Sequence, residues 1–291
     1  MKITVIGGSG FLGSHVADHL TKHGHEVIIF DKKKSKWKKN NQEMIIGDIL
    51  NIEELEKVIS KSKIVYNFAA VADIETALIN PLETANINVL GTLNTLALCK
   101  KYSIERFVFA STIYVYSQEG NFYRCSKQSA ESFIEEYNKL YNLNYTILRY
   151  GSIYGPRSDN TNGLYKIVKA ALDKTEIVYE GDKESRREYI HVEDAADASV
   201  KILEDNFKNQ NIILTGQQSL KVYDIMKMLS EILGSEKDLK FKFKEQKGGG
   251  HYIRTPYTYQ PRIAKKYIPN IHYDLGQGLI QLIEEIKKEK N

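Results

Sequence analysis

Tyr123 and Lys127 stand four residues apart in Tyr-Arg-Cys-Ser-Lys, a spacing that puts both on one face of a helix. A free phenol has a pKa of about 10, and a neighbouring ammonium favours the phenolate, so Tyr123 can act as a base near neutral pH with Lys127 supplying the field. Thr112 follows an apolar strand over 107–110, where its hydroxyl can hold a substrate oxygen during proton transfer. The same spacing also fits an ordinary helix surface, and the chemical reading gains its weight from what lies upstream. Gly7, Gly10 and Gly13 follow a strand and cross the start of a helix. Such a turn lets backbone approach a pyrophosphate and aims the free N–H groups and dipole of a helix N-terminus at the anion; a plain glycine-rich turn is the alternative. Asp31 ends the second strand, where a carboxylate accepts hydrogen bonds from an adenosine ribose and repels a 2′-phosphate. NAD is therefore expected over NADP, although Lys32 and the lysines after it are able to receive such a phosphate.

These residues need a frame that brings strand ends together. The pattern predicts strands over 2–6, 26–31, 44–46, 64–70, 107–110 and 145–148, with helices over 11–22, 53–60, 81–101 and 126–141 between them. This alternation implies a doubly wound parallel sheet of Rossmann type, an α/β fold. After Gly155 the elements become shorter and mixed: helices over 164–172, 192–203, 222–233 and 275–288, strands near 177–179, 188–191 and 212–214, and a flexible loop at 248–250. The expected division is a dinucleotide-binding domain over 1–160, with 188–215 returning to it, and a smaller α+β substrate-binding lobe from 161–187 and 216–291.

The chain has 291 residues, 42% of them hydrophobic and 27% charged, with five prolines, which are globular proportions. No apolar run approaches the roughly 20 residues of a membrane span, and no leader is read at the N-terminus, so a cytoplasmic protein without a membrane partner is expected. Cys99 and Cys125 have no metal-ligand spacing, and neither a disulfide framework nor a metal site is expected. The net charge of +4 owes most to Lys32, Lys33, Lys34, Lys36, Lys38 and Lys39, read as a solvated loop with no nucleic-acid partner. His15, His19 and His23 share a helical face without an Asp or Cys at fitting spacing and are assigned solvated or packing roles, with His191 structural. Tyr252, Tyr257 and Tyr259 either stack on a sugar or base or cover the lobe surface.

Several segments together resemble the extended short-chain dehydrogenase/reductase family, in its nucleotide-sugar epimerase and dehydratase branch. They are the Gly7/Gly10/Gly13 turn, Gly47-Asp48-Ile49, Asn67-Phe68-Ala69-Ala70, Asn88 to Thr92, Ser111-Thr112, Tyr123 to Lys127, Leu148-Arg149-Tyr150, Tyr154 to Arg157 and Arg187 to Val192. The resemblance covers nearly the whole chain. It implies that Phe11 and Leu12 belong to the cofactor turn, that Asp48 and Ile49 flank the adenine, and that Ala69, Ala70 and Val71 line the pyrophosphate and ribose. It also implies that Asn88 and Tyr150 serve the cofactor side and that Lys127 bonds the nicotinamide ribose. Thr112, Ser152, Asn162, Arg187 and Arg254 would meet the substrate, with Arg187 on the diphosphate, a task suited to a forked cation; a strand-end salt bridge is the alternative for Arg187. The expected activity is NAD-dependent oxidation at C4 of a nucleotide-diphosphate sugar, hexose or heptose, with Tyr123 as base. The outcome is either 4-epimerisation or release of a 4-keto sugar by a 4-dehydrogenase. Weak similarity points to a branch acting on surface-polysaccharide sugars, GDP-heptose included.

Three departures from the family matter. Resembling dehydratases carry Asp-Glu straight after the threonine, whereas this chain has Ile113-Tyr114, and nothing beside Tyr114 is expected to remove a second proton; 4,6-dehydration is therefore not expected. The stretch from Ser117 to Phe122 is short, and Gly151-Ser152 replaces the Phe-Asn of many 4-epimerases. An oxidoreductase acting on a non-sugar alcohol and a non-catalytic dinucleotide-binding scaffold are the alternatives. A homodimer through 81–101 and 126–141 is expected, with Leu93, Leu96 and Phe133 facing outward.

Overall fold

The computed structural model describes residues 1–173, 176–234, 239–244, 251–256, 265–267 and 272–289. The chain runs β1 (Lys2–Ile6), α1 (Phe11–Lys22), β2 (Glu26–Asp31), β3 (Gln42–Ile46), α2 (Ile52–Ile59), β4 (Ile64–Asn67), α3 (Ile74–Ile79), α4 (Pro81–Ala85), α5 (Gly91–Lys101), β5 (Arg106–Thr112), α6 (Asn121–Tyr141), β6 (Tyr145–Tyr150) and β7 (Ser152–Tyr154). It continues with α7 (Gly163–Asp173), β8 (Glu176–Glu180), β9 (Arg186–His191), α8 (Val192–Lys201), β10 (Gln210–Leu214), β11 (Ser219–Lys221), α9 (Val222–Leu233), β12 (Lys240–Lys244), β13 (Lys265–Lys266) and α10 (Leu275–Lys288).

The main sheet is parallel, in the order β13-β10-β6-β5-β4-β1-β2-β3. Its inner strands are apolar on both faces because helices cover both. Ile3 and Val5 of β1 pack with Val16 and Leu20 of α1 and Ala195 and Ala198 of α8 on one face. Ile6, Phe30, Phe107 and Phe109 meet Leu55, Leu96 and Ile134 of α2, α5 and α6 on the other. A second core joins Leu164 and Val168 of α7, Ile225 and Leu229 of α9, and Leu279 and Leu282 of α10. Two small sheets, β11-β9-β7 and β12-β8, flank it; the short strands β7, β11 and β13 carry too little periodic signal to be foreseen, whereas the alternation Lys-Phe-Lys-Phe-Lys of β12 was legible and was missed. The loop expected at 248–250 lies outside the described residues, as do Tyr257 and Tyr259.

Two element boundaries differ in ways that touch the site. The helix expected over 81–101 is interrupted by a π turn at Asn86–Leu90 between α4 and α5. One extra residue in the turn rotates the following helix by about 100°, so counting through it as uninterrupted misplaces a face. Leu96, expected outward, is instead fully buried, while Leu82, Leu90, Phe133 and Leu140 are exposed. The second difference is at α6, which starts at Asn121 rather than 126, entered through Gly120 at φ 93° and Asn121 at φ 40°. Tyr123 thus sits in its first turn, still one turn before Lys127.

Candidate active site

A cleft of about 220 Å³ opens at the carboxyl ends of β1, β2 and β4, lined by Gly7, Gly10, Asp31, Lys32, Asp48, Ile49, Ala69, Ala70 and Val71. Gly7 adopts φ 78°, and a Cβ there would lie 2.5 Å from Ala69 N, so the turn depends on glycine. A side chain at Gly13 would strike the carbonyl of Gly7. Gly10 begins α1 without a side-chain cap, leaving the N–H groups of Phe11, Leu12 and Gly13 directed to the cleft end, although the Phe11 and Leu12 side chains do not line it. The Asp31 carboxylate accepts from Ser9 N and Lys33 N, each at 3.0 Å, fixing it beside the turn. A glycine cradle, an open helix N-terminus and a carboxylate at the end of β2 fit an NAD pyrophosphate and ribose.

Asn88 serves the cleft indirectly. Its Oδ1 accepts from Val71 N at 2.7 Å, and its Nδ2 donates to Val71 O at 3.0 Å and Ser126 Oγ at 2.9 Å, tying the 71 loop to α6. The π turn carries this side chain. Tyr150 does not reach the cleft: its ring lies 6.5 Å from Phe68, and its hydroxyl meets Ser199 Oγ at 2.6 Å in the core. It supports Phe68, which does line the cleft. Glu83 and Ile87, lining residues missed in the sequence, come from the helices flanking that loop.

A second cavity, about 320 Å³, contains Thr112, Tyr114, Tyr123, Ser152, Asn162, Arg187, His251 and Tyr252 among its walls. Thr112 ends β5, caps the turn after it by accepting from Tyr114 N at 3.3 Å, and lines the same cavity as Tyr123. Lys127 Nζ donates to Ala110 O at 2.7 Å and lies 5.9 Å from the centre of the Tyr123 ring. Burial pushes the Tyr123 phenol up to about 12 against the lowering by Thr112, and burial pushes Lys127 down to about 7 against the pull of Glu131. In the protein alone, burial is the larger cause for both groups, opposite in sign for the phenol and the ammonium.

Arg187 is buried on β9. Its Nη1 donates to Arg186 O at 2.9 Å and Tyr252 O at 2.5 Å, and its guanidinium lies 4.4 Å over the Tyr252 ring. Among the described residues no carboxylate within salt-bridge distance pairs with it. Ser152 lines the cavity with its Oγ 3.5 Å from the Tyr252 hydroxyl. Asn162 lines it too, but its amide donates to Ile153 O at 2.8 Å and its oxygen accepts from Leu164 N and Tyr165 N, so it orders α7. Arg254 is exposed and is not among the cavity walls.

Beside Tyr114, where no group able to remove a second proton is expected, the structure places an imidazole: the Tyr114 hydroxyl hydrogen-bonds His251 Nδ1. The two are 137 residues apart, and no periodicity or motif marks His251 in the sequence. His251 keeps an exposed surface, yet the protein packed around it, then the Arg187 and Lys166 cations, push it down to about 4, and burial holds Tyr114 well above the usual phenol range. The histidines of α1 also find an acid, on α8: Glu193 meets His15 Nδ1 and His19 Nε2, each at 2.7 Å. These contacts pull Glu193 far below the usual carboxylate range. His191 caps α8 through Nδ1 and stacks on Tyr273 at 4.2 Å. Among the described residues no group of side chains could hold a metal, and no helix is long and apolar enough to cross a membrane.

A family model described as the NAD dependent epimerase/dehydratase family matches residues 3–216. A putative UDP-glucose 4-epimerase of Methanocaldococcus jannaschii is 34% identical over 251 residues, covering 77% of this chain and 81% of that protein. The crystal structure of UDP-glucose 4-epimerase with UDP-glucose from Thermotoga maritima aligns over 100% of both chains, with TM-score 0.86 and 26% identity. A UDP-glucuronic acid 4-epimerase from Bacillus cereus, in complex with UDP-glucuronic acid and NAD, covers 99% of this chain and 100% of its own, with TM-score 0.84 and 25% identity.

Proposed function

This chain belongs to the NAD-dependent epimerase/dehydratase family and uses NAD, and on that premise we propose that it oxidises C4 of a nucleotide-diphosphate hexose and re-reduces the ketone to give the C4 epimer. One observation carries the reading: Thr112 and Tyr123 share a cavity with the buried guanidinium of Arg187. NAD, when bound, accepts hydride from C4 and returns it. Thr112 holds the C4 oxygen, Tyr123 takes its proton, Lys127 stabilises the phenolate and meets the cofactor ribose, and Arg187 binds the diphosphate. The unit 1–160 with 188–215 carries NAD, and 161–187 with 216–291 carries the substrate.

Release of the ketone would instead make a 4-dehydrogenase, GDP-heptose being one candidate substrate; similarity to epimerases favours return of the hydride. Dehydration across C5 and C6 is disfavoured even with His251 present. It needs a base strong enough to remove a carbon-bound proton, and an imidazole held down at about 4 beside a phenol held up is a weak one. Incubation with UDP-glucose followed by NMR and mass spectrometry is expected to give UDP-galactose without net NADH. Stoichiometric NADH with a 4-keto sugar would move the reading to a dehydrogenase, and a product one water lighter would overturn the exclusion of dehydration.

Two further expectations concern cofactor choice and assembly. Asp31→Ala should weaken NADH binding by about 10–100-fold, the worth of hydrogen bonds to a charged group, and narrow the gap to NADPH because Lys32 and Lys33 remain. Fluorescence titration of both cofactors reads this, and tighter NADPH binding by the unmodified protein would contradict it. The exposed Leu82, Leu90, Phe133 and Leu140 on α4, the π turn and α6 form an apolar surface suited to a two-fold partner. Light scattering at micromolar concentration should give a dimer mass, and a monomer would contradict it.

A further inference from the structure

Tyr123 enters the cavity from a place where a helix holds its residues least. It is the third residue of α6, and its backbone N–H has no full turn behind it to bond. The loop that delivers it is short: Gly120 at φ 93° and Asn121 at φ 40° turn the chain into the helix. Each position suits one kind of residue. A Cβ on Gly120 would lie 2.6 Å from the Tyr114 ring, and asparagine is among the few side chains that tolerate positive φ. The Arg124 guanidinium, three residues on, fastens the loop by donating through Nη1 to Ser117 O at 3.0 Å and Gln118 O at 2.5 Å.

The Asn121 side chain then works in two directions. Its Oδ1 accepts from Tyr123 N at 3.3 Å, supplying the partner that the missing turn cannot. Its Nδ2 donates to Ile74 O at 3.0 Å, at the start of α3. That helix is cavity wall through Ile74, Glu75 and Leu78, and Glu75 lies 3.8 Å from Lys166 of α7. Asn121 itself lines the cavity. One amide thus ties the backbone of the proposed base to the wall of the space its substrate would enter. The Tyr114 ring, seated at Gly120, meets the Tyr123 ring edge-on with 6.3 Å between centres, so the phenol is braced at its ring as well as at its backbone.

We propose that Asn121 is a positioning residue for the proton transfer at Tyr123, setting where the phenol stands relative to the cavity wall formed by α3. This rests on the role given to Tyr123 above. Proton transfer needs heavy atoms within about 2.6–3.2 Å of each other, and a first turn free to fray spends much of its time out of reach. A misplacement of about 1 Å can cost about 10²-fold in rate.

The test compares Asn121 variants of the NAD-loaded full chain by turnover of UDP-glucose and by amide hydrogen exchange. Asn121→Gly keeps the positive φ and removes both side-chain bonds. It is expected to lower kcat about 10- to 100-fold and to speed exchange in 74–79 and 121–125, while NAD affinity stays within about twofold. Asn121→Asp keeps the acceptor for Tyr123 N but has no donor for Ile74 O. It should retain kcat within about threefold and raise KM, a split that a general loss of stability would not give. With Tyr123→Phe as background, Asn121→Gly should change the residual turnover by less than about twofold, since a residue acting through the phenol is silent once the phenol is gone. Unchanged kcat in Asn121→Gly, an equal loss with and without the phenol, or unchanged exchange in both segments would overturn the proposal. Absence of any C4-altered product from the unmodified protein, with UDP-sugars and GDP-sugars alike, would sink the proposed function and this proposal together, whereas any of the preceding three outcomes sinks this proposal alone.

Discussion

The Tyr123→Phe enzyme is expected to turn over about 10²- to 10⁴-fold more slowly than the unmodified protein, the usual worth of a positioned general base, and still to bind NAD. The substitution removes one oxygen. The ring keeps its edge contact with Tyr114, and Lys127 keeps its bond to Ala110 O, because neither depends on the phenol oxygen. What disappears is the phenol oxygen, the proposed acceptor for the C4 proton. Since burial holds the phenol up to about 12, the reactive deprotonated form grows as pH rises, and unmodified activity should climb with pH over the range where the fold survives. That dependence should vanish in Tyr123→Phe. Turnover within a few-fold of the unmodified enzyme, with the same pH profile, would take Tyr123 out of the mechanism.

The parts legible in the sequence were those whose cause is local. Strands such as Ile3 to Ile6 announce themselves because both faces are covered and every residue but Thr4 is apolar, and the glycine turn because Gly7 and Gly13 have no room for a Cβ. Tyr123 and Lys127 are brought together by helical spacing alone. The balance of their titration was not legible, because it depends on how much protein surrounds each group, a tertiary quantity. The face of α5 was missed because a π turn leaves no compositional mark, and its single extra residue shifts Leu96 from outside to core. His251 was missed for a related reason: its partner lies across the fold, and the contact is made by a segment without helical or strand periodicity. Arg254, three residues further on, is expected at the substrate from the resemblance alone, and it is not among the cavity walls.

Arg149→Ala should lower the free energy of unfolding by about 3–5 kcal/mol, the cost of breaking a buried ion pair from one side. Arg149 and Glu131 are both fully buried, and the guanidinium forks onto the carboxylate through Nε at 3.0 Å and Nη2 at 2.7 Å. Nη1 also binds the Tyr116 hydroxyl, and Ser111 Oγ donates to Glu131 at 2.6 Å. The group therefore joins the ends of β5 and β6 to α6, next to Thr112 and one turn beyond Lys127. Removing the arginine leaves the carboxylate with its desolvation cost and without its main compensation, whereas removing both charges leaves no buried ion. Arg149→Met combined with Glu131→Leu should accordingly recover much of the loss. Urea denaturation of the single and double variants measures both effects. A single-variant loss below about 1 kcal/mol would show that neighbouring dipoles already satisfy Glu131, and a double variant no more stable than Arg149→Ala would show that packing or the Ser111 and Tyr116 bonds, rather than the uncompensated charge, set the cost.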